Sequence, residues 1–253
     1  MNFNKLYIIC LFYLILPLKF YYVYTQRSSS KSYRGIIFDM DGTLTRTNQL
    51  IFDTFNHIAD KYLGRRFSSD EIVSMFGPPE EVAIRKLVGE TDFRNAVTDF
   101  HAYYERHHNE KAELYDGIPE ILDSLYNASI TLGLFTGKGR RSTEITLEKF
   151  GLKNYFTSII TGHDVEQHKP SGEGIHRALD EMNIATEETL MVGDSMADVK
   201  AAKEAGVDIA TVLWDSYSYD RVVQSESQYR FFSIKDFHLW INKLLKHRSL
   251  HNY

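Results

Sequence analysis

From Tyr33 onward, short apolar runs rich in β-formers alternate with helical patterns, and that rhythm leaves few architectures open. The runs fall at residues 35–38, 131–135, 157–161, 189–193 and 209–214 (GIIF, TLGLF, TSIIT, TLMVG and IATVLW). Between them lie helix-forming stretches. In 140–150 the apolar residues Ile145, Leu147 and Phe150 precede Gly151, placed as a C-terminal cap glycine. Residues 175–182 and 197–205 read the same way, and a last helix is expected near 237–247. The pattern predicts an α/β fold with a doubly wound parallel sheet. With 253 residues, 43% of them hydrophobic, the chain suffices for one large domain or a core with a modest insertion.

One interval breaks the rhythm. From 49 to 113 there is no convincing strand, only helical stretches separated by Gly64, Ser68-Ser69 and Gly77-Pro78-Pro79. A helical block inserted after the first strand reads as a separate cap domain, 49–113, on a core formed by 33–48 and 114–253. Roughly seventy residues separate Thr45 from Tyr115, whereas 136–169 holds only a helix, a strand and a turn. Residues 46–48 and 113–115 are the expected hinges, and the loop 76–80 reads either as an element reaching the site or as a plain turn. In 92–113 one face is aromatic (Phe93, Val97, Phe100, Tyr104), and His101, His107 and His108 are read as part of a solvated helix face rather than metal ligands.

Residues 1–32 do not match the rest. An apolar run at 6–18 and an aromatic run at 20–24, interrupted by Lys19, precede a serine-rich linker. The run is short for a membrane span, and Val23 and Thr25 make a poor cleavage site. A secretory signal or anchor, a buried helix of the fold, and an upstream start codon adding non-functional sequence all stay open. Membrane association through 6–24 follows from the first; otherwise the catalytic domain is expected in the cytoplasm. A net charge of −5 gives no general pull toward nucleic acid, and the single cysteine, Cys10, excludes an internal disulfide and a four-thiolate zinc site. Nothing in the sequence specifies an oligomeric state.

The chemistry lies at the strand ends. Asp39-Met40-Asp41-Gly42 follows the first strand and sets two carboxylates at the carboxyl edge of the sheet, where such folds bind ligands. Thr136-Gly137 follows the second run with a hydroxyl and a permissive amide suited to a phosphoryl oxygen. Lys169-Pro170 supplies a cation, and Gly193-Asp194-Ser195-Met196-Ala197-Asp198 brings two more carboxylates one helical turn apart. Carboxylates gathered in a partly dry site repel one another, which a divalent cation relieves.

In order, these four motifs resemble those of the haloacid dehalogenase-like hydrolase superfamily over about residues 35–214, with the flavour of its phosphoglycolate-phosphatase-like and pyrophosphatase-like members. The resemblance implies a Rossmann-like core with a small helical cap and Mg2+-dependent phosphate transfer from a small phosphorylated metabolite through an aspartyl-phosphate. Asp39 then corresponds to the nucleophile and Asp41 to the general acid and base. Thr136 and the Gly137 amide correspond to the phosphate-holding pair, and Lys169 to the charge-balancing residue. Asp194 corresponds to the direct metal ligand and Asp198 to the outer one, with Asp39 and the Asp41 carbonyl completing the set. Halide-removing members lack an equivalent of Asp41, and ion-pump domains carry lysine where this chain has Met40. A phosphomutase, a phosphonatase using Lys61 or Lys86, and a non-catalytic membrane-tethered binding module are the alternatives.

Overall fold

The computed structural model describes residues 31–251, so the apolar extension lies outside the described residues. Six parallel strands form the central sheet: β1 (Gly35–Phe38), β4 (Thr131–Phe135), β5 (Phe156–Ile160), β6 (Thr189–Gly193), β7 (Asp208–Val212) and β8 (Tyr229–Phe231). Their order is β5-β4-β1-β6-β7-β8. A two-stranded antiparallel ribbon, β2 (Thr45–Arg46) with β3 (Glu113–Leu114), stands apart from it. The five predicted strands are present; β5 is displaced by one residue toward the N-terminus, and β7 starts one residue and ends two residues before its predicted bounds. The edge strand β8 is not among the expected strands, since its three residues, YRF, are too few to show an alternating pattern.

Helices cover both faces. On one side α4 (Ile118–Asn127) and α9 (Ile234–His251) bury Ile121, Leu122, Leu125, Phe237 and Ile241 against Ile36, Phe38, Leu132 and Leu190. On the other, α6 (Glu173–Met182) and α7 (Met196–Ala205) bury Ile175, Ala178, Val199 and Ala202 against Ile37, Phe135 and Met191. Alternate residues of β1 thus face opposite layers, as the two-residue period of a strand requires. A further helix, α5 (Arg140–Phe150), ends at Gly151 with φ 68°, and a short α8 (Tyr219–Val222) follows β7.

Between β2 and β3 the chain forms α1 (Asn48–Leu63), α2 (Ser69–Val73) and α3 (Glu80–Lys111), and no strand. Each break has a local cause. Gly64 takes φ 64° after α1, Ser68 and Glu71 form a capping box on α2, and Gly89 at φ 73° interrupts α3. These helices share their own apolar cluster, in which Phe55 meets Phe100 edge-on at 5.2 Å and Ile145 of α5 is the contact from the sheet side. His108 continues the stripe begun by Phe100 and Tyr104 at a spacing of four, so it is buried rather than solvated, and its Nε2 lies 3.3 Å from Thr146 Oγ1. Burial, with Lys138 and Lys149 nearby, pushes its imidazolium down to about 4. His107 stays partly exposed beside Glu110. No helix among the described residues is long and apolar enough to cross a membrane.

Helix α6 is seated unusually close to β4, because a Cβ on Gly174 would lie 2.2 Å from the Phe135 ring. On an open helix Gly→Ala gains roughly 1 kcal/mol, but here overpacking costs about 1–3 kcal/mol. Gly174→Ala should therefore destabilise in urea unfolding and, because Phe135 directly precedes Thr136, lower activity as well. A gain in stability would show that the layer yields freely.

Candidate active site

Because β1 lies between β4 and β6, three loops open side by side at the carboxyl edge of the sheet. The first carries Asp39 and Asp41, the second Thr136 and Gly137, the third Asp194, with Asp198 in the first turn of α7. Lys169 arrives from the segment between β5 and α6. All seven residues singled out in the sequence line one cavity of about 410 Å3.

Two glycines allow the carboxylates to approach. Gly42 has φ 80°, and a Cβ there would lie 2.6 Å from Asp194 Oδ2; one on Gly193 would lie 2.4 Å from Asp198 Cγ. Ser195 caps α7, its backbone N–H and hydroxyl donating to Asp198 Oδ2 at 3.0 and 2.6 Å. Asp198 is thereby fixed with Oδ1 turned to Lys169. The buried ammonium donates to that oxygen at 2.6 Å and to Asp39 Oδ1 at 2.7 Å, 4.6 Å above the Phe135 ring.

Charge of one sign still dominates. Burial pushes the Asp39 carboxyl up to about 7, with Asp198 and Asp41 adding to the shift and Lys169 opposing it. Asp194 is also pushed up, by burial first and then by Asp39 and Asp198, and its carboxylate has no ion-pair partner among the described residues. Ligand oxygens of Asp39, Asp194 and Asp198 lie within 4.8 Å of one another. A converging all-oxygen set containing an uncompensated carboxylate fits a hard divalent cation.

Asp41 has a different environment. Its Oδ1 accepts from the Thr47 hydroxyl and lies 3.2 Å from Lys138 Nζ. Lys138 is buried and donates to Tyr104 Oη at 2.9 Å. The Lys138 amide donates to Thr136 Oγ1 at 3.2 Å, which leaves the threonine hydrogen for the cavity. Lys138 escaped the sequence analysis although it directly follows Thr136-Gly137; its burial against α3 is the tertiary fact that gives it importance.

The helical block is tied to this same loop. Glu80, at the start of α3, accepts from the Gly139 amide at 2.7 Å and from the Ser142 hydroxyl. A Cβ on Gly137 would lie 2.6 Å from the Gly77 carbonyl oxygen, so loop 76–80 does reach the cavity. His101 corrects the solvated-face expectation. Its Nε2 lies 3.6 Å from Glu80 and 3.4 Å from Glu81, where burial lowers the imidazolium pKa but the two carboxylates outweigh it and push it up to about 9. Neither Lys61, which pairs with Asp99 at 2.5 Å on the surface, nor Lys86 lines the cavity.

The family model for haloacid dehalogenase-like hydrolases matches residues 36–212. The chain is 33% identical to a protein named pyrophosphatase PpaX from Oceanobacillus iheyensis, over 81% of this chain and 95% of that one. It is 31% identical to a PpaX pyrophosphatase from Halalkalibacterium halodurans, over 79% and 93%. Among solved structures, the fold is shared with CbbY from Rhodobacter sphaeroides in complex with phosphate, at a TM-score of 0.68 and 22% identity over 79% of this chain and 93% of that one. It is also shared with a protein described as a predicted phosphoglycolate phosphatase from Haemophilus somnus, at a TM-score of 0.73 and 22% identity over 83% and 97%.

The His101 ion pairs carry a pH dependence with a definite sign. Its folded pKa, about 9, exceeds the ordinary 6.5, so the stabilisation is complete below about 6.5 and disappears as pH rises through 9. The stability gap between wild type and His101→Gln should be largest near pH 6, at most about 3 kcal/mol, and close by pH 10. Urea unfolding across that range tests it; a gap independent of pH would mean that the imidazole is neutral.

Proposed function

Because the chain belongs to the haloacid dehalogenase-like hydrolases, we propose that it is a Mg2+-dependent phosphatase that cleaves a small phosphate ester through a phosphorylated Asp39. The observation that carries this reading is the convergence of Asp39, Asp41, Thr136 and Lys169 on one cavity at the carboxyl edge of the sheet. In the same reading, residues 33–48 and 114–253 form the catalytic core and 49–113 a cap moving on the ribbon of β2 and β3.

Asp39 attacks phosphorus, and the bond from phosphorus to the leaving oxygen breaks as Asp41 delivers a proton to that oxygen. Thr47 and Lys138 hold Asp41 toward the cavity. Asp41, now a carboxylate, takes a proton from water, whose oxygen attacks phosphorus and frees Asp39. Thr136 and the Gly137 amide hold the phosphoryl oxygens, while Lys169 keeps Asp39 ionised beside an anion. Asp39, Asp194 and the Asp41 carbonyl would hold the cation, with Asp198 as outer ligand, and it would supply positive charge to offset that of the transferring group.

The proton-carrier role separates Asp41 from a purely metal-binding aspartate. Asp39→Asn should abolish phosphate release from monoesters, at least a thousandfold, with little loss of stability, because the side chains are nearly isosteric. Asp41→Asn should slow both formation and hydrolysis of the aspartyl-phosphate, and Asp194→Ala should raise the Mg2+ requirement steeply. Phosphate-release assays with Mg2+ titration, acid-quench trapping and chelator controls test these outcomes. Full activity in excess chelator would sink the metal-dependent step.

A further inference from the structure

The cavity is divided in character. Its sheet-side floor is charged, but the part contributed by α1, α2 and the segments around them is lined by Ile51, Phe55, Val73, Met75, Phe76 and Phe100. No Lys, Arg or His of residues 49–113 lines it. The acidic Glu80 is already engaged by Gly139 and Ser142. Lys169 is neutralised by Asp39 and Asp198, and Lys138 is held on the sheet side, 3.2 Å from Asp41 Oδ1 and donating to Tyr104 Oη. Lys200 and Arg221 also line the cavity, but both are exposed and come from α7 and α8 on the core side.

The volume favours the same direction. About 410 Å3 corresponds to more than ten water-sized volumes of about 30 Å3 each, far more than a phosphoryl group and one small anion fill. Desolvating a second anion against Phe55 and Phe100, on the side to which residues 49–113 contribute no Lys, Arg or His, is unfavourable. An apolar group gains from the same surroundings. At the border between the two parts stands Asn48, 5% exposed and next to Thr47, with its Nδ2 lacking a hydrogen-bond partner among the described residues. It offers a donor to a neutral oxygen beside the scissile bond.

Resting on the phosphatase reading above, we infer that the leaving group is an alcohol with an uncharged, predominantly apolar body, seated in the chamber between α1 and α3. Pyrophosphate and phosphorylated small acids, whose leaving groups carry a second charge, are then poor substrates. The alcohol leaves with the Asp41 proton, as the reaction above requires.

The test uses the full chain with Mg2+ and measures phosphate release from ethyl, butyl and hexyl phosphate, 2-phosphoglycolate and inorganic pyrophosphate. Intrinsic reactivity barely changes along the alkyl series, so its slope reports burial. Expected is a rise in kcat/KM of about three- to fourfold per methylene, with hexyl phosphate at least tenfold ahead of pyrophosphate and phosphoglycolate. Met75→Gln, at a half-buried lining position, should lower the hexyl-to-ethyl ratio by at least threefold while its circular dichroism stays that of wild type. A flat alkyl series, or pyrophosphate or phosphoglycolate ahead of hexyl phosphate, overturns the apolar chamber and leaves the phosphatase reading standing. No phosphate from any of the five compounds overturns both.

Discussion

One buried ammonium holds the active edge of this molecule together. Two like charges about 4 Å apart at a protein surface repel by roughly 4 kcal/mol, and here Asp39, Asp194 and Asp198 gather more closely than solvent alone would permit. Lys169 bridges Asp39 and Asp198, and the Ser195 cap fixes Asp198 in position. Every larger feature serves that meeting. The strand order sets β1 beside β6, Gly42 and Gly193 remove the side chains that would keep the carboxylates apart, and Phe135 lies beneath the ammonium.

A second group of charges joins the helical block to the sheet. Lys138 contacts Asp41 and Tyr104, Glu80 holds the Gly139 amide and the Ser142 hydroxyl, and His101 stands beside Glu80. Removing charges from water is costly unless they are paired and hydrogen-bonded. These pairings satisfy that condition only when α3 and the loop after β4 are together. Their contribution is therefore geometric: they define where the block rests, while the apolar cluster of α1–α3 gives it internal cohesion.

The parts legible in the sequence were those written locally. A strand followed at once by Asp-x-Asp-Gly, Thr-Gly or Gly-Asp-Ser announces both an element and what sits at its end, which is why the five strands, and seven residues that the structure brings to one cavity, are legible in the sequence. The helix from Arg140 to Phe150 likewise declares its own end at Gly151. Tertiary packing has no such signature. His101 and His108 belong to a long polar helix, and only the position of α5 and the Glu80 turn makes one charged and the other neutral. Lys138 resembles any loop lysine until Tyr104 covers it, and β8, at three residues, is too short to show a strand period.

The contact between Gly137 and Gly77 affects how experiments on this loop should be interpreted. An alanine scan would identify Gly137 as a phosphate contact, because activity would fall. Yet the first atom the added methyl meets is the Gly77 carbonyl, 2.6 Å away in the helical block. At Gly139 the methyl would meet Glu81 Oε2 at 2.7 Å. Lost affinity and a displaced block would give the same rate. They can be told apart by asking whether inorganic phosphate still binds when the substrate does not.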